Sequence, residues 1–347
     1  MTQYLGIGIG AGLVSALLFG VLLKGTLLAF VLNLVSPLPI LIVGLGWSHR
    51  AALAAAVTGS LALALAVSPS LGLGFAAYLA LPAWWLAYLT LLGRQNPDGT
   101  GATGTTEWYP TGRLLGWVGT TAGAAVVAIA LLSSSSYEAY ETQMRQLAGN
   151  LIRVQMRGAP APAPVPRAEQ DGEQAAERGP EAPAESADPK VKAQAELQAE
   201  LAEAMGRLLP GIAATGLALL LVFYLWASAR IVRLSGRLLR PWPDIPSTIM
   251  PRGMLGLLAV AVVLTLAPGY LGVFGTALVG ALCAVFALQG LAAFHDRSRG
   301  RPGRGALLFG LYLILFVTQG IALVALTLFG LADTALDRRR PRGGPAT

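Results

Sequence analysis

Long stretches of this chain carry no ionised side chain, and their lengths set the first expectations. Met1 to Leu23 is one such run, closed by Lys24. It turns apolar at Tyr4, lacks a basic leading segment and shows no small-residue cleavage site, so it reads as a retained first helix and not as a removed signal peptide. Gly25 to His49 follows, interrupted by Pro37 and Pro39. Proline lacks the N–H a helix needs and restrains the residue before it. The pattern therefore predicts a partial helix or loop to Ser36 and a short helix from about Leu38 to Trp47. Ala51 to Gly93 is 43 residues without a charge, too long for one crossing at about 20 residues each. Ser68-Pro69-Ser70 divides it into a helical hairpin.

Beyond a polar stretch from Arg94 to Arg113, further apolar runs cover Leu114–Leu132, Gly211–Ala229, Gly253–Phe294 (split at Pro268-Gly269) and Gly305–Ala332. These predict an all-α polytopic membrane protein with eight or nine transmembrane helices. The membrane helices group as residues 1–133 and 210–333, followed by a basic tail, 334–347.

The segment between the groups, 134–209, has a different pattern. Tyr137, Tyr140, Met144, Leu147, Leu151 and Val154 recur at helical spacing, as do Leu197, Leu201, Met205 and Leu208. Between them, residues 158–189 are rich in Ala, Pro and Glu and nearly free of bulky apolar side chains, which predicts a disordered tip. The two amphipathic helices continue the flanking membrane helices and are expected to pair as an extramembrane helical hairpin stalk through those apolar faces.

Composition sharpens the class. Hydrophobic residues make up 54% and charged residues 12%, which excludes an ordinary soluble globule. Cys283 is the single cysteine, so no internal disulfide forms. Net charge is +7, but residues 134–208 hold 12 of the 18 acids. The remaining basic residues sit in short connections, the pattern of cytoplasmic loops and not of nucleic-acid binding. Arg50, Arg94, Arg113, Arg230, Arg233, Arg237, Arg240, Arg252 and the Arg297–Arg304 loop all fall on one side if the N-terminus is cytoplasmic. Nine crossings, however, strand the arginines of the tail on the other side. The expected location is the inner membrane of a bacterium, with the bilayer and other membrane subunits as partners.

Candidate chemistry is sparse. No catalytic motif, metal-ligand spacing or cofactor fingerprint is present, so neither an enzyme, a metal site nor a cofactor is expected. Asn33 is a polar side chain in an apolar stretch, either bonded to another helix or touching a ligand. Trp84 and Trp85, some distance from the end of their helix, either belong to an interfacial belt or line a cavity. Gly6/Gly10 and Gly8/Gly12 are small-xxx-small pairs suited to helix docking. Arg230, Arg233, Arg237 and Arg240 share a helical face and suggest contact with anionic headgroups.

The block NLVSPLPILIVGLGWSHRAALAAAVTGSLALALAV, with EWYP at Glu107–Pro110, RPWPD at Arg240–Asp244, FHDRS at Phe294–Ser298 and GLADTALDRRR at Gly330–Arg340, resembles the YybS-like family of membrane proteins. That resemblance implies a polytopic membrane fold and no particular activity. The N-terminal block is also similar to the substrate-binding S components of energy-coupling-factor vitamin transporters, through Leu38, Pro39, Gly44, Leu45 and Gly46. S components dock a coupling subunit through small residues of helix 1, which Gly6, Gly8, Gly10 and Gly12 would imitate. Two functions follow as expectations: solute binding related to transport, or a structural and assembly role. A polar-lined pocket near Asn33 and Trp84 would favour the first, and a solid bundle the second.

Overall fold

The computed structural model describes residues 2–95, 106–157, 189–318, 320–337 and 339. The Ala/Pro/Glu tract expected to be disordered, and all but a few residues of the basic tail, lie outside them. The chain forms two compact units: residues 1–137 together with 210–347, and residues 138–209.

The larger unit is helical, as its apolar runs require. It contains α1 (Thr2–Gly20), α2 (Leu27–Leu34), α3 (Leu38–Gly46), α4 (His49–Ala66), α5 (Pro69–Phe75), α6 (Leu81–Thr90) and α7 (Thr111–Ser133). After the smaller unit come the later part of α9 (Pro189–Leu234), then α10 (Gly253–Leu264), α11 (Tyr270–Arg297), α12 (Arg304–Thr318) and α13 (Gly320–Leu336). Seven helical stretches among the described residues are long and apolar enough to cross a bilayer, and α10, α12 and α13 are shorter apolar helices.

Prolines and serines punctuate this unit where the sequence suggested. The Val35–Pro37 turn separates α2 from α3, and the Ser15 hydroxyl bonds the Ser36 carbonyl there. Ser48 and Ser68 cap α4 and α5 by accepting the N–H of Ala51 and Leu71. Between α5 and α6 a π-helical turn covers Ala76–Ala80. Pro82 cannot donate an amide hydrogen, and the ladder shifts there so that Leu81 N–H bonds Ala76. The polar loop after α6 begins and ends in a two-stranded antiparallel ribbon, β1 (Gly93–Gln95) and β2 (Thr106–Trp108), which sets Arg94 opposite Glu107.

Glycines set the closest helix contacts. Gly8 and Gly12 of α1 lie on α4, where an added Cβ would fall 2.5 Å from the Ala51 carbonyl oxygen and 2.3 Å from that of Ala55. Gly20 faces Leu63, so the two helices run parallel. Gly290 of α11 and Gly330 of α13 oppose each other the same way. With Thr327 bonding the Cys283 carbonyl and Gln289 bonding Asp333, α13 also runs parallel to α11.

That direction corrects the expectation of one final helix over Gly305–Ala332. A chain leaving the end of α11 can only run parallel to it after first returning, and α12 is the return leg. The chain is therefore carried back, as far as Arg339, to the end of the unit where the arginine loops gather. Arg339 there bonds the Pro246 and Thr248 carbonyls and the buried Asp333, and lies 3.7 Å from Asp296. The start of α1, beside the start of α4, lies at that same end.

The smaller unit contains α8 (Tyr137–Arg157), except its first residue, and the first part of α9. The serines after α7 break the continuity expected there, whereas α9 runs unbroken through Pro210. The packed face keeps Tyr140 of the expected stripe but not its leucines. Tyr140 and Ala148 are buried and Gly206 lies on the Met144–Arg145 backbone, while Leu147, Leu151, Leu197, Leu201 and Leu208 are exposed. Close approach at a glycine selects the faces that bring the backbones together, and the wider leucine stripes turn outward.

Candidate binding site

Where α9 ends, Gly236 adopts a left-handed φ of 70° and its N–H bonds the Arg233 carbonyl. Helix geometry stops at Leu234, so Arg237 and Arg240 do not continue the face of Arg230 and Arg233 that the periodicity suggested. The chain from Leu238 to Thr248, stiffened by Pro241, Pro243 and Pro246, instead folds over the ends of α7, α9 and α11. Beneath it lies a cavity of about 590 Å³, a size typical of small-molecule sites.

The walls are almost wholly apolar. Leu115 and Val118 of α7, Val222 and Phe223 of α9 and Leu288 of α11 supply much of the lining. Phe223 and Trp226 both line the cavity and are about half exposed, at 50% and 47%. That wall reaches the apolar outer surface of the helical body.

Beside the hydroxyls of Thr90, Thr111 and Thr248, the polar side chains in the lining are His295, Tyr312 and Arg240. The His295 Nδ1 lies 2.9 Å from the Leu291 carbonyl, which can only accept, so that nitrogen carries the proton. The other ring nitrogen lies 3.2 Å from the Tyr312 hydroxyl. The third is Arg240, only 7% exposed. It donates from Nη1 to the Thr90 carbonyl at the C-terminus of α6, at 3.3 Å, a favourable place for a cation. Among the described residues it has no carboxylate partner; Asp244, four residues on, is held by both terminal nitrogens of Arg299. Burial pushes the Arg240 pKa down, but a guanidinium stays protonated. A buried charge without a counter-ion is costly unless something else supplies one.

More positive charge stands at the rim. The guanidinium groups of Arg230 and Arg233 lie 5.5 and 5.1 Å from the centre of the Trp242 ring, itself part of the wall, and Arg237 stacks on Trp47 at 4.6 Å. A ligand suited to this arrangement has an apolar body below and a polar group above.

The residues singled out from the sequence lie elsewhere. Trp84 and Trp85 belong to an aromatic cluster with Tyr88, extended by His49 on one side and Trp117 on the other. The Trp84 indole nitrogen is buried without a hydrogen-bond partner. Asn33 sits at the end of α2, with its side-chain oxygen and the nearby Ser36 hydroxyl similarly buried and unpaired. Neither Asn33 nor the tryptophan pair lines the cavity. Gly8 and Gly12 are used inside the chain, against α4, while Gly6 and Gly10 meet nothing within 4 Å. The sequence reading missed Arg240 as an isolated buried cation, together with Trp226, Trp242 and Tyr312. The available signal was RPWPD, where prolines on both sides of Trp242 forbid the helix assumed for the arginine face.

The apolar helices and their packing define the class, a polytopic helical membrane protein. Residues 180–334 match a family described as a predicted membrane protein (DUF2232), and the YybS-like resemblance fits that match. No curated protein and no solved structure matches the chain, so the likeness to S components rests on the N-terminal block alone. The cavity's α9, α11, α12 and proline-loop walls all fall inside the matched segment.

Proposed function

We propose that this protein binds an amphipathic molecule taken laterally from the bilayer, at the membrane's cytoplasmic side, and that its role is binding and not catalysis. The observation that carries the reading is the cavity itself: apolar walls, with half-exposed Phe223 and Trp226 forming the side that reaches the protein's outer surface. A chain entering there exchanges bilayer for protein contacts, while its polar end reaches the proline loop and the arginine rim. Placing this end in the cytoplasm rests on the arginine bias of the loops. The cavity favours binding over a purely structural role, because a bundle that only holds partners has no need of an open interior.

Occluding the cavity tests this. Ala229 lines it, and Ala229→Phe should abolish retention of a co-purified or added long-chain amphiphile, read by native mass spectrometry, without lowering the unfolding temperature. Unchanged retention in the occluded variant would refute the proposal.

A further inference from the structure

The cavity's ligand class is narrowed by its one buried charge. Resting on the reading of the cavity as an amphiphile site, we infer that Arg240 is its anion-recognition residue and that the bound amphiphile carries a carboxylate or phosphate head. Arg240 lines the cavity, is 93% buried by its exposure of 7%, and spends one hydrogen bond on a backbone carbonyl. A guanidinium has five N–H donors, so most of its capacity is unspent. A neutral headgroup would leave the charge uncompensated in an apolar wall, whereas an oxyanion satisfies charge and donors together, in the fork geometry that arginine suits.

The surroundings reinforce the sign. Arg230 and Arg233 flank the same wall through Trp242, and the nearest acid in sequence, Asp244, is already engaged by Arg299. His295 has both ring nitrogens engaged, by Leu291 and Tyr312, so Arg240 is the charged group of the lining that is free to meet an anion. The Thr90 carbonyl takes one N–H of the guanidinium, which leaves the other donors for the ligand.

The test uses the full chain in phosphatidylcholine nanodiscs and photoreactive diazirine analogues of dodecanoic acid, dodecyl phosphate and dodecanol. Crosslinks are mapped by mass spectrometry to the peptides around Trp226 and Trp242. The acidic probes should label there at concentrations at least about tenfold below the alcohol, as expected for a charge-assisted hydrogen bond. Arg240→Gln keeps a donor for Thr90 and should erase that preference while leaving alcohol labelling unchanged, which also reports an intact cavity. Arg240→Lys should keep a reduced preference. Equal labelling by acid and alcohol, or a preference that survives Arg240→Gln, would overturn the anion assignment and leave the amphiphile site standing. Labelling by none of the three would overturn both. Inorganic phosphate displacing the acidic probes as well as unlabelled dodecyl phosphate does would mark a free-anion site and overturn the amphiphile assignment.

Discussion

Removing the carboxylate of Asp333 should destabilise the protein more than any nearby surface change. Its side chain is 1% exposed and gathers Gln289 at 2.9 Å, Arg297 at 3.1 Å and Arg339 at 2.5 Å. Arg339, with 9% of its side chain exposed, spends its other nitrogen donors on the Pro246 and Thr248 carbonyls. Asp333→Ala therefore leaves a nearly buried guanidinium without its main counter-ion. Breaking such a pair from one side costs about 3–5 kcal/mol. At 2–4 °C per kcal/mol for chains shorter than this one, the unfolding temperature in mild detergent should fall by roughly 6–20 °C. Arg339→Ala should cost less, because Arg297 and Gln289 still hold the Asp333 carboxylate. The double variant should fall short of the sum by about 1–3 kcal/mol, the range for residues in direct contact. A loss below about 1 kcal/mol for Asp333→Ala, or strict additivity in the double variant, would refute the idea that this cluster pins the tail to the proline loop.

Three further outcomes follow from other parts of the structure. Gly12→Ala should lower the unfolding temperature by pushing α1 off α4, at about 1–3 kcal/mol, while Gly10→Ala, with nothing within 4 Å, should be neutral or stabilising; equal effects would show that α1 does not dock through the Gly8/Gly12 face. The Arg299 hydrogen bonds hold the Asp244 carboxyl below its ordinary value of 3.8, so their stabilisation is present above that value and is lost as pH falls through the lower folded value. Trp242 fluorescence should accordingly change only in stronger acid than 3.8, and Arg299→Gln should move the change upward; an unmoved transition would assign it to another group. With Cys283 replaced by Ala, an impermeant maleimide should label Pro268→Cys and not Ser235→Cys in intact cells, and the reverse pattern would invert the orientation.

Much of the fold was legible because membrane helices announce themselves in one dimension. Charge-free length, the prolines at 37 and 268 and the Ser68-Pro69-Ser70 turn marked helix ends, since a missing amide or a capping hydroxyl acts on its own neighbours. The arginine bias likewise grouped loops that the fold gathers at one end. Packing partners were not legible in the same way. Gly8/Gly12 and Gly6/Gly10 are equivalent as spacings, and only the position of α4 decides which pair is used. The leucine stripes of α8 and α9 were the stronger periodic signal, yet the contact at Gly206 turned them outward. Arg240 looked like one more residue of a basic face until Gly236 ended the helix. What made it a candidate site is its surroundings, an apolar cavity and, among the described residues, no ion-pair partner. A counter-ion's absence depends on every element folded around the charge, so it is a property of the tertiary structure alone.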